Sequence, residues 1–170
     1  MVVDLQEPFL RTMFDRPAVV ENVRRLIGAA KILDLPMLVT LQNPEKMGDT
    51  VPEVKELLPP AEPVGKMSFS CCGDVTFNRR LSALGRRTVI LTGIETHVCV
   101  SQTAHDLLMQ GYTVHVPGDA VCSRKEADWL AGLEKMRQSG VIVTSTEAVI
   151  FELLACAGTD EFREVLKLVK

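Results

Sequence analysis

The 170-residue sequence lacks several features that mark whole classes of protein. It has no run of about 18 apolar residues, so we expect no membrane span and no membrane partner. No charged segment followed by an apolar stretch opens it, and we therefore expect no secretory signal and a cytoplasmic location. The net charge of −3 argues against nucleic acid as a partner, because nucleic-acid binding usually requires a basic surface. What remains is an ordinary globular composition, with 46% apolar and 24% charged residues.

The cysteines follow no pairing pattern. Five are present, at positions 71, 72, 99, 122 and 156. An odd number argues against a disulfide framework and favours a reducing compartment. No CxxC spacing occurs, which removes support for a zinc ribbon or a thioredoxin-type redox pair. The vicinal pair Cys71 and Cys72 leaves a redox role open, although two ordinary buried thiols are the favoured interpretation.

The pattern of apolar residues predicts the fold class. Short apolar runs alternate with helical patterns, which is typical of βαβ units around a parallel sheet. The length fits a single domain, residues 1–170. We therefore predict an α/β fold, a three-layer doubly wound sheet of about six mainly parallel strands in the order 3-2-1-4-5-6. The predicted strands are Met1–Asp4, Met37–Leu41, Thr88–Gly93, Tyr112–Val116 and Val141–Val143, with a weaker one near Pro63–Gly65. Either the first strand is short or the sequence begins inside it.

Residues that favour helix ends indicate where several helices lie. Pro17 predicts the first turn of a helix. Ser123 and Glu126 have the spacing of a capping box, and Gly140 can end the helix that follows. Two further helices are predicted at residues 98–111 and 162–169, and a loop-dominated excursion with one short helix at residues 42–65.

The predicted sheet places two reactive side chains near each other. In a doubly wound sheet, ligands bind outside the carboxyl ends of the strands, where the strand order reverses. Asp4 ends the first strand, and Cys99 lies in the first turn of the helix after the Thr88–Gly93 strand. The positive end of that helix is expected to lower the thiol pKa. From position alone, a buried core thiol remains open for Cys99, a turn or cap role for Asp4, and a solvated side chain for Lys66.

Three segments together resemble the isochorismatase-like hydrolases. Asp4–Phe9 is similar to their D-x-Q-x-x-F opening, Gly65–Ser70 to their lysine segment, and Gly93–Val100 to their nucleophile turn. The pair Asp119 and Ala120 matches the acidic pair after the next strand. Order and spacing agree over essentially the whole chain. Within this superfamily, the sequence most resembles the isochorismatase domain-containing proteins.

The resemblance implies a catalytic triad and a covalent mechanism. Cys99 would be the nucleophile, and Asp4 the base that takes the thiol proton and returns it to the leaving amine. Lys66 would lower the thiol pKa and hold the aspartate ionised. A small non-peptide amide would form a thioester with Cys99, and water would then release the acid.

The resemblance also implies the residues that surround the reacting atoms. A non-proline cis peptide is expected at Ile94–Glu95. It would direct the Glu95 N–H, together with the Cys99 N–H, at the oxyanion. Phe9 and Gln42 would line the substrate pocket.

Departures from the family pattern restrict the substrate. Nicotinamidases carry a D-x-H metal site after the second strand, whereas this sequence reads Thr40-Leu41-Gln42-Asn43 there. We therefore expect no metal and no cofactor, and do not favour nicotinamide. Glu95 could narrow the pocket or select a cationic group. Asp119 is expected to support the site from behind its lining or to fix a loop. The three histidines do not have a metal-ligand spacing, and structural or surface roles are favoured for them.

Two other functions remain open at this point. A vinyl-ether or other non-acyl hydrolase would keep Asp4 without using Cys99 covalently. A non-catalytic interaction module would need neither. In each case the family resemblance implies a homo-oligomer.

Overall fold

The computed structural model describes residues 1–169 and contains a central parallel sheet with helices on both faces. The strands are β1 (Val2–Val3), β2 (Val39–Gln42), β3 (Val64–Lys66), β4 (Thr88–Ile90), β5 (Thr92–Ile94), β6 (Thr113–Pro117), β7 (Val121–Cys122) and β8 (Ile142–Thr144). Two hydrogen-bonded sets have the orders β3-β2-β1-β5-β7 and β4-β6-β8. Leu91 separates β4 from β5, and its N–H donates to the His115 carbonyl at 2.8 Å. The predicted order is therefore confirmed, with the fourth strand divided into β4 and β5 and the fifth continued by β7.

The described residues contain nine α-helices. They are α1 (Glu7–Leu10), α2 (Arg16–Ile32), α3 (Pro44–Met47), α4 (Pro52–Lys55), α5 (Val75–Ala83), α6 (Ser101–Met109), α7 (Glu126–Gln138), α8 (Thr146–Leu154) and α9 (Asp160–Val169). One hydrophobic cluster includes residues of α2, α8 and α9, and a second includes residues of α5, α6 and α7. Across residues 1–169, we find no helix whose length and apolar character would let it cross a membrane.

Local sequence explains several helix ends. Pro17 lies in the first turn of α2, as predicted, and the Asp15 side chain accepts from the Ala18 N–H at 3.2 Å. Gly140 follows α7 with a φ of +98°, which a glycine adopts without steric cost. Two helices that the sequence analysis does not assign, α5 and α8, begin after Asp74 and Ser145, whose side chains accept from backbone N–H groups of the first turn.

Ser123 does not cap a helix, and that prediction is wrong. Helix α7 begins at Glu126, the preceding residue is Lys125, and no side chain caps this end. Ser123 is fully buried, and its Oγ lies 2.9 Å from His97 Nδ1. Ser123 precedes the first helical residue by three positions, which is too far for the cap position, and its hydroxyl bonds to the nucleophile turn instead.

Two further predictions differ from the structure in detail. The helix predicted from Val98 is preceded by a π-helical turn, Thr96–Val100, and α6 begins only at Ser101. The excursion at residues 42–65 contains two short helices, α3 and α4, where one was predicted.

A glycine sets the spacing between the two strands that lead to the site. Gly93 lies opposite Val3 in the register of β5 and β1. Its φ is +113°, and a Cβ built there would lie 2.1 Å from the Val3 carbonyl oxygen. Only glycine allows this approach. Because Asp4 follows Val3 directly and the nucleophile turn follows Ile94, the register brings both to the same sheet edge.

Candidate active site

A buried ion pair forms the centre of the candidate site. Asp4 follows β1 with a φ of +53°, a left-handed conformation that aspartate tolerates better than most residues. Lys66 ends β3, and its Nζ lies 2.7 Å from Asp4 Oδ2. Both residues are almost fully buried, so each charge is removed from water and compensated by the other.

Neighbouring groups satisfy the remaining hydrogen bonds of this pair. The Thr40 hydroxyl donates to Asp4 Oδ1 at 2.8 Å. The Lys66 ammonium donates to Gln42 Oε1 at 2.7 Å and to the carbonyls of Ser68 and Phe69 at 3.2 Å. Gln42, expected to bind substrate, thus also holds the lysine. A buried charge with this many partners is fixed in position, which a catalytic group requires.

Cys99 lies in the π-helical turn and is buried. Burial raises the pKa of its thiol to about 12, the Lys66 ammonium lowers it in part, and the Asp4 carboxylate raises it. The expectation of a lowered thiol pKa is therefore wrong, because burial outweighs the favourable charge of Lys66. The resting thiol is neutral, and it needs a proton acceptor before it can attack.

These residues share one small cavity. Its volume is about 80 Å³, and it is lined by Asp4, Phe9, Gln42, Phe69, Ile94, Glu95, Val98 and Cys99. Six of the eight lining residues were predicted as site residues from the sequence, whereas Phe69 and Val98 were not. Lys66 lies behind Asp4 and Gln42. A larger cavity of about 490 Å³, beside Met1 and Leu38, lies at the amino ends of the strands, away from these groups.

The backbone between β5 and the nucleophile turn has the expected unusual bond. The Ile94–Glu95 peptide is cis. The Glu95 side chain pairs with Arg124, whose Nε lies 2.9 Å from Glu95 Oε2. The sequence analysis missed Arg124, because a lone arginine in a loop belongs to no motif.

Asp119 lies outside the cavity lining. Its Oδ1 accepts from the Thr146 N–H at 2.8 Å and the Thr146 hydroxyl at 2.9 Å. Its backbone carbonyl accepts from the Asn22 side chain at 2.9 Å. Asp119 therefore fixes the loop after β6 to the start of α8, which is one of the two roles expected for it.

Two sets of supporting contacts were not predicted. The Gln6 amide donates to the carbonyls of Gln42 and Gly48 at 3.0 and 2.8 Å, and so holds the loop after β2. Gln6 is the third residue of the D-x-Q pattern, and this pattern is the sequence signal that could have indicated its role. Thr103 Oγ1, on α6, accepts from the Cys71 N–H at 2.9 Å, and so ties the chain just after the lysine segment to helix α6.

Among residues 1–169, no group of three or more histidine, cysteine, aspartate or glutamate side chains is arranged to hold a metal ion. His97 contacts Ser123, and His105 contacts Ser101 and Ser139.

Comparison with known proteins gives consistent matches over the whole chain. The isochorismatase domain matches residues 1–148. The secreted isochorismatase effector Isc1 of Phytophthora sojae is 42% identical, covering 99% of this chain and 82% of its own. Isochorismatase domain-containing protein 2 of Danio rerio is 40% identical, covering 99% and 85%.

Solved structures with the same fold have several names. A MAR1 ribonuclease from Caenorhabditis elegans is 43% identical, with a TM-score of 0.93 over 99% of this chain and 86% of its own. The YcaC gene product of Escherichia coli, described as an octameric hydrolase of unknown specificity, is 26% identical, with a TM-score of 0.92 over 98% and 83%. YcaC from Pseudomonas aeruginosa, solved with hexane-2,5-diol and covalent acrylamide, is 25% identical, with a TM-score of 0.91 over 98% and 86%.

Proposed function

Because the chain belongs to the isochorismatase family, whose hydrolase fold supports a hydrolytic role, we propose that it cleaves a small non-peptide amide through a Cys99 thioester. One observation carries the proposal. A thiol and a buried Asp4–Lys66 ion pair meet at a cavity of about 80 Å³. This volume is well below the roughly 300–1,000 Å³ of pockets for drug-sized ligands, so the acyl group must be small.

The proposed reaction begins with transfer of the thiol proton to Asp4. The Cys99 sulfur attacks the amide carbon, and the Glu95 and Cys99 N–H groups stabilise the resulting oxyanion. The C–N bond breaks as Asp4 returns the proton to the leaving nitrogen, giving an amine or ammonia and a thioester. Asp4 then takes a proton from water, and the hydroxide attacks the thioester carbon. The C–S bond breaks, the acid leaves, and Asp4 returns its proton to the Cys99 sulfur.

Burial raises the pKa of the Cys99 thiol to about 12, so the thiol rests neutral and needs a base before it can attack. Asp4 lines the same cavity as Cys99, and this position supports assigning it as that base. The covalent acrylamide of the Pseudomonas aeruginosa YcaC supports a reactive nucleophile in this fold and not the substrate class, since acrylamide alkylates thiols at its vinyl carbon and keeps its amide.

Ribonuclease activity is a second candidate, because the C. elegans structure with 43% identity is named a ribonuclease. Two features of this chain argue against it. The cavity of about 80 Å³ is too small for a nucleotide, and the net charge is −3.

The test is a panel of small amides assayed with the wild-type protein and Cys99→Ala, with mass spectrometry to trap an acyl group on the Cys99 peptide. We expect acid release by the wild type, an acyl–Cys99 adduct, and loss of turnover in Cys99→Ala. Amide turnover that survives Cys99→Ala would contradict the thioester, and vinyl-ether cleavage that survives Cys99→Ala would indicate the non-acyl hydrolase. Absence of any turnover or adduct would favour the interaction module. In a parallel assay with RNA, cleavage by the wild-type protein that is lost in Cys99→Ala would establish the second candidate.

We also propose a homo-oligomer that works in the cytoplasm. The octameric YcaC supports assembly, and five free cysteines support a reducing compartment. The relative named as a secreted effector makes the location worth testing. Native mass spectrometry checks the first expectation, where a single monomer peak would contradict it. Cell fractionation checks the second, where recovery only from the medium would contradict it.

A further inference from the structure

A second ion pair lies at the edge of the catalytic cavity. Glu95 lines the cavity together with Asp4 and Cys99. Its Oε2 accepts a hydrogen bond from Arg124 Nε at 2.9 Å. The Glu95 side chain is 16% exposed and that of Arg124 is 59% exposed, so the pair extends from the cavity wall into solvent.

Each charged side chain that lines the cavity is paired with a side chain of opposite charge. Of the eight lining residues, only Asp4 and Glu95 are charged, and each has its own cation. Lys66 pairs with Asp4 at 2.7 Å and Arg124 pairs with Glu95 at 2.9 Å. Apolar side chains form most of the remaining wall. A charged substrate group would lose its hydration there without finding a free partner, which is costly.

We propose that the Glu95–Arg124 pair determines substrate charge, by restricting the cavity to small uncharged amides. This inference rests on the proposed thiol hydrolase function. An anionic substrate would have to displace Glu95 from Arg124, and a cationic substrate would have to displace Arg124 from Glu95. Removing either partner frees the other and should therefore change which substrate charge the site accepts.

Alkylating agents of different charge can test this without a known substrate. The probes are iodoacetamide, which is neutral, iodoacetate, which is anionic, and 2-bromoethylammonium, which is cationic. Peptide-resolved mass spectrometry measures the alkylation rate at Cys99 alone. Each rate is divided by the rate at which the same probe alkylates mercaptoethanol under the same conditions. Ratios between probes cancel any change in the thiolate fraction, which affects all three rates equally.

The wild-type protein should favour iodoacetamide over both charged probes by about tenfold, a modest value for a charge interaction near a protein surface. Glu95→Gln should raise the iodoacetate-to-iodoacetamide ratio by about tenfold, because Arg124 is then free to bind a carboxylate. Arg124→Gln should raise the 2-bromoethylammonium ratio by a similar factor. Glu95→Gln keeps the backbone N–H that the proposed oxyanion site uses, so only side-chain charge is altered.

A surface ion pair on α7 supplies matched controls. Glu134 and Arg137 are 3.0 Å apart, are 56% and 55% exposed, and do not line the cavity. Glu134→Gln and Arg137→Gln change the net charge by the same amounts and should leave all probe ratios unchanged. If Glu95→Gln does not fold, judged by circular dichroism, Arg124→Gln tests the proposal alone, since its side chain is largely exposed.

The outcomes separate this inference from the proposed function. Ratios that stay at the wild-type value in both site variants, while Cys99 still reacts, overturn the charge selection and leave the hydrolase standing. Ratios that change equally in the control variants also overturn it. Amide turnover that persists in Cys99→Ala overturns the proposed function itself.

Discussion

At the scale of single residues, Asp4 has two opposite effects on Cys99. Its negative charge raises the pKa of the thiol, in addition to the larger effect of burial, and so suppresses the thiolate in the resting protein. In the proposed reaction the same carboxylate accepts the thiol proton. Thiolate reactivity and catalytic turnover therefore depend on Asp4 in opposite directions, and one substitution can separate them.

Asp4→Asn should make Cys99 more reactive and the enzyme less active. Without the carboxylate, the Lys66 ammonium still lowers the thiol pKa, so alkylation by iodoacetamide at a fixed neutral pH should become several-fold faster. Amide turnover should fall by at least about 10²-fold, because the base is lost. Peptide-resolved mass spectrometry measures the Cys99 alkylation rate, and acid release measures amide turnover. Asp160→Asn, an exposed position on α9, is the control, and a parallel loss of both activities in Asp4→Asn would contradict the prediction.

The Asp4–Lys66 ion pair should also affect the free energy of unfolding. Lys66→Met leaves the Asp4 charge buried without its cation, which should lower the free energy of unfolding by about 3–5 kcal/mol. The double variant Asp4→Asn/Lys66→Met removes both charges and should regain much of that loss. Urea unfolding measures each value. If the double variant lost as much as the two single variants together, the pair would not be coupled as the 2.7 Å contact indicates.

At the scale of elements, helix α7 packs directly on the backbone of the nucleophile turn. Gly132 makes this possible, since a Cβ there would lie 3.0 Å from His97 Cα and 3.1 Å from His97 N. Backbone atoms cannot rotate away as a side chain can. The position of Cys99, two residues after His97, therefore depends on the missing side chain at Gly132.

Gly132→Ala should displace the nucleophile turn and lower turnover by about tenfold, because small displacements of reacting groups are costly. Gly28→Ala is a matched control within helix α2. Its Cβ would lie 2.9 Å from Leu168 Cδ1, the flexible end of a side chain. Gly28→Ala should leave turnover and Cys99 alkylation unchanged. Acid release and alkylation rates check both variants, and equal effects of the two would show that Gly132 has no special role.

Most elements could be predicted from the sequence, because apolar periodicity and helix-end residues are local. The alternation of strands and helices predicted the parallel sheet, and the strand order was the one most common in doubly wound folds. The π-helical turn at Thr96–Val100 was not predicted, because apolar periodicity and helix-end residues do not distinguish a single π-helical turn from the first turn of an α-helix. Ser123 was misassigned as a cap because its spacing to Glu126 fits the pattern, whereas its hydroxyl bonds to His97 in the folded chain.

The sequence indicated which residues form the candidate site, but it did not indicate the direction in which the thiol pKa is shifted. Motif resemblance identified Asp4, Lys66 and Cys99, although they lie far apart in the sequence. The thiol pKa was predicted in the wrong direction, because the degree of burial is a property of the folded structure and sequence spacing does not give it. Arg124 was missed for a related reason: its contact with Glu95 joins residues 29 positions apart and follows no periodic pattern.

At the scale of the whole molecule, one sheet separates two hydrophobic clusters. Leu26, in the cluster that contains α2 and α9, is 8% exposed, and Leu107, in the cluster that contains α6 and Cys99, is fully buried. The Leu91 N–H bonds to the His115 carbonyl where the two sets of strands meet. We therefore expect the two helical layers to unfold together.

Leu26→Ala and Leu107→Ala compare the same chemical change in the two clusters. Each should lower the free energy of unfolding by about 2–5 kcal/mol, with the larger loss for the fully buried Leu107. Urea unfolding followed by circular dichroism and by Trp129 fluorescence should give coincident, single transitions for both variants. Only Leu107→Ala should alter Cys99 alkylation, because Cys99 belongs to its cluster. Two separate transitions would contradict the coupling through the sheet, and an equal change in Cys99 reactivity would contradict the division of the core into two layers.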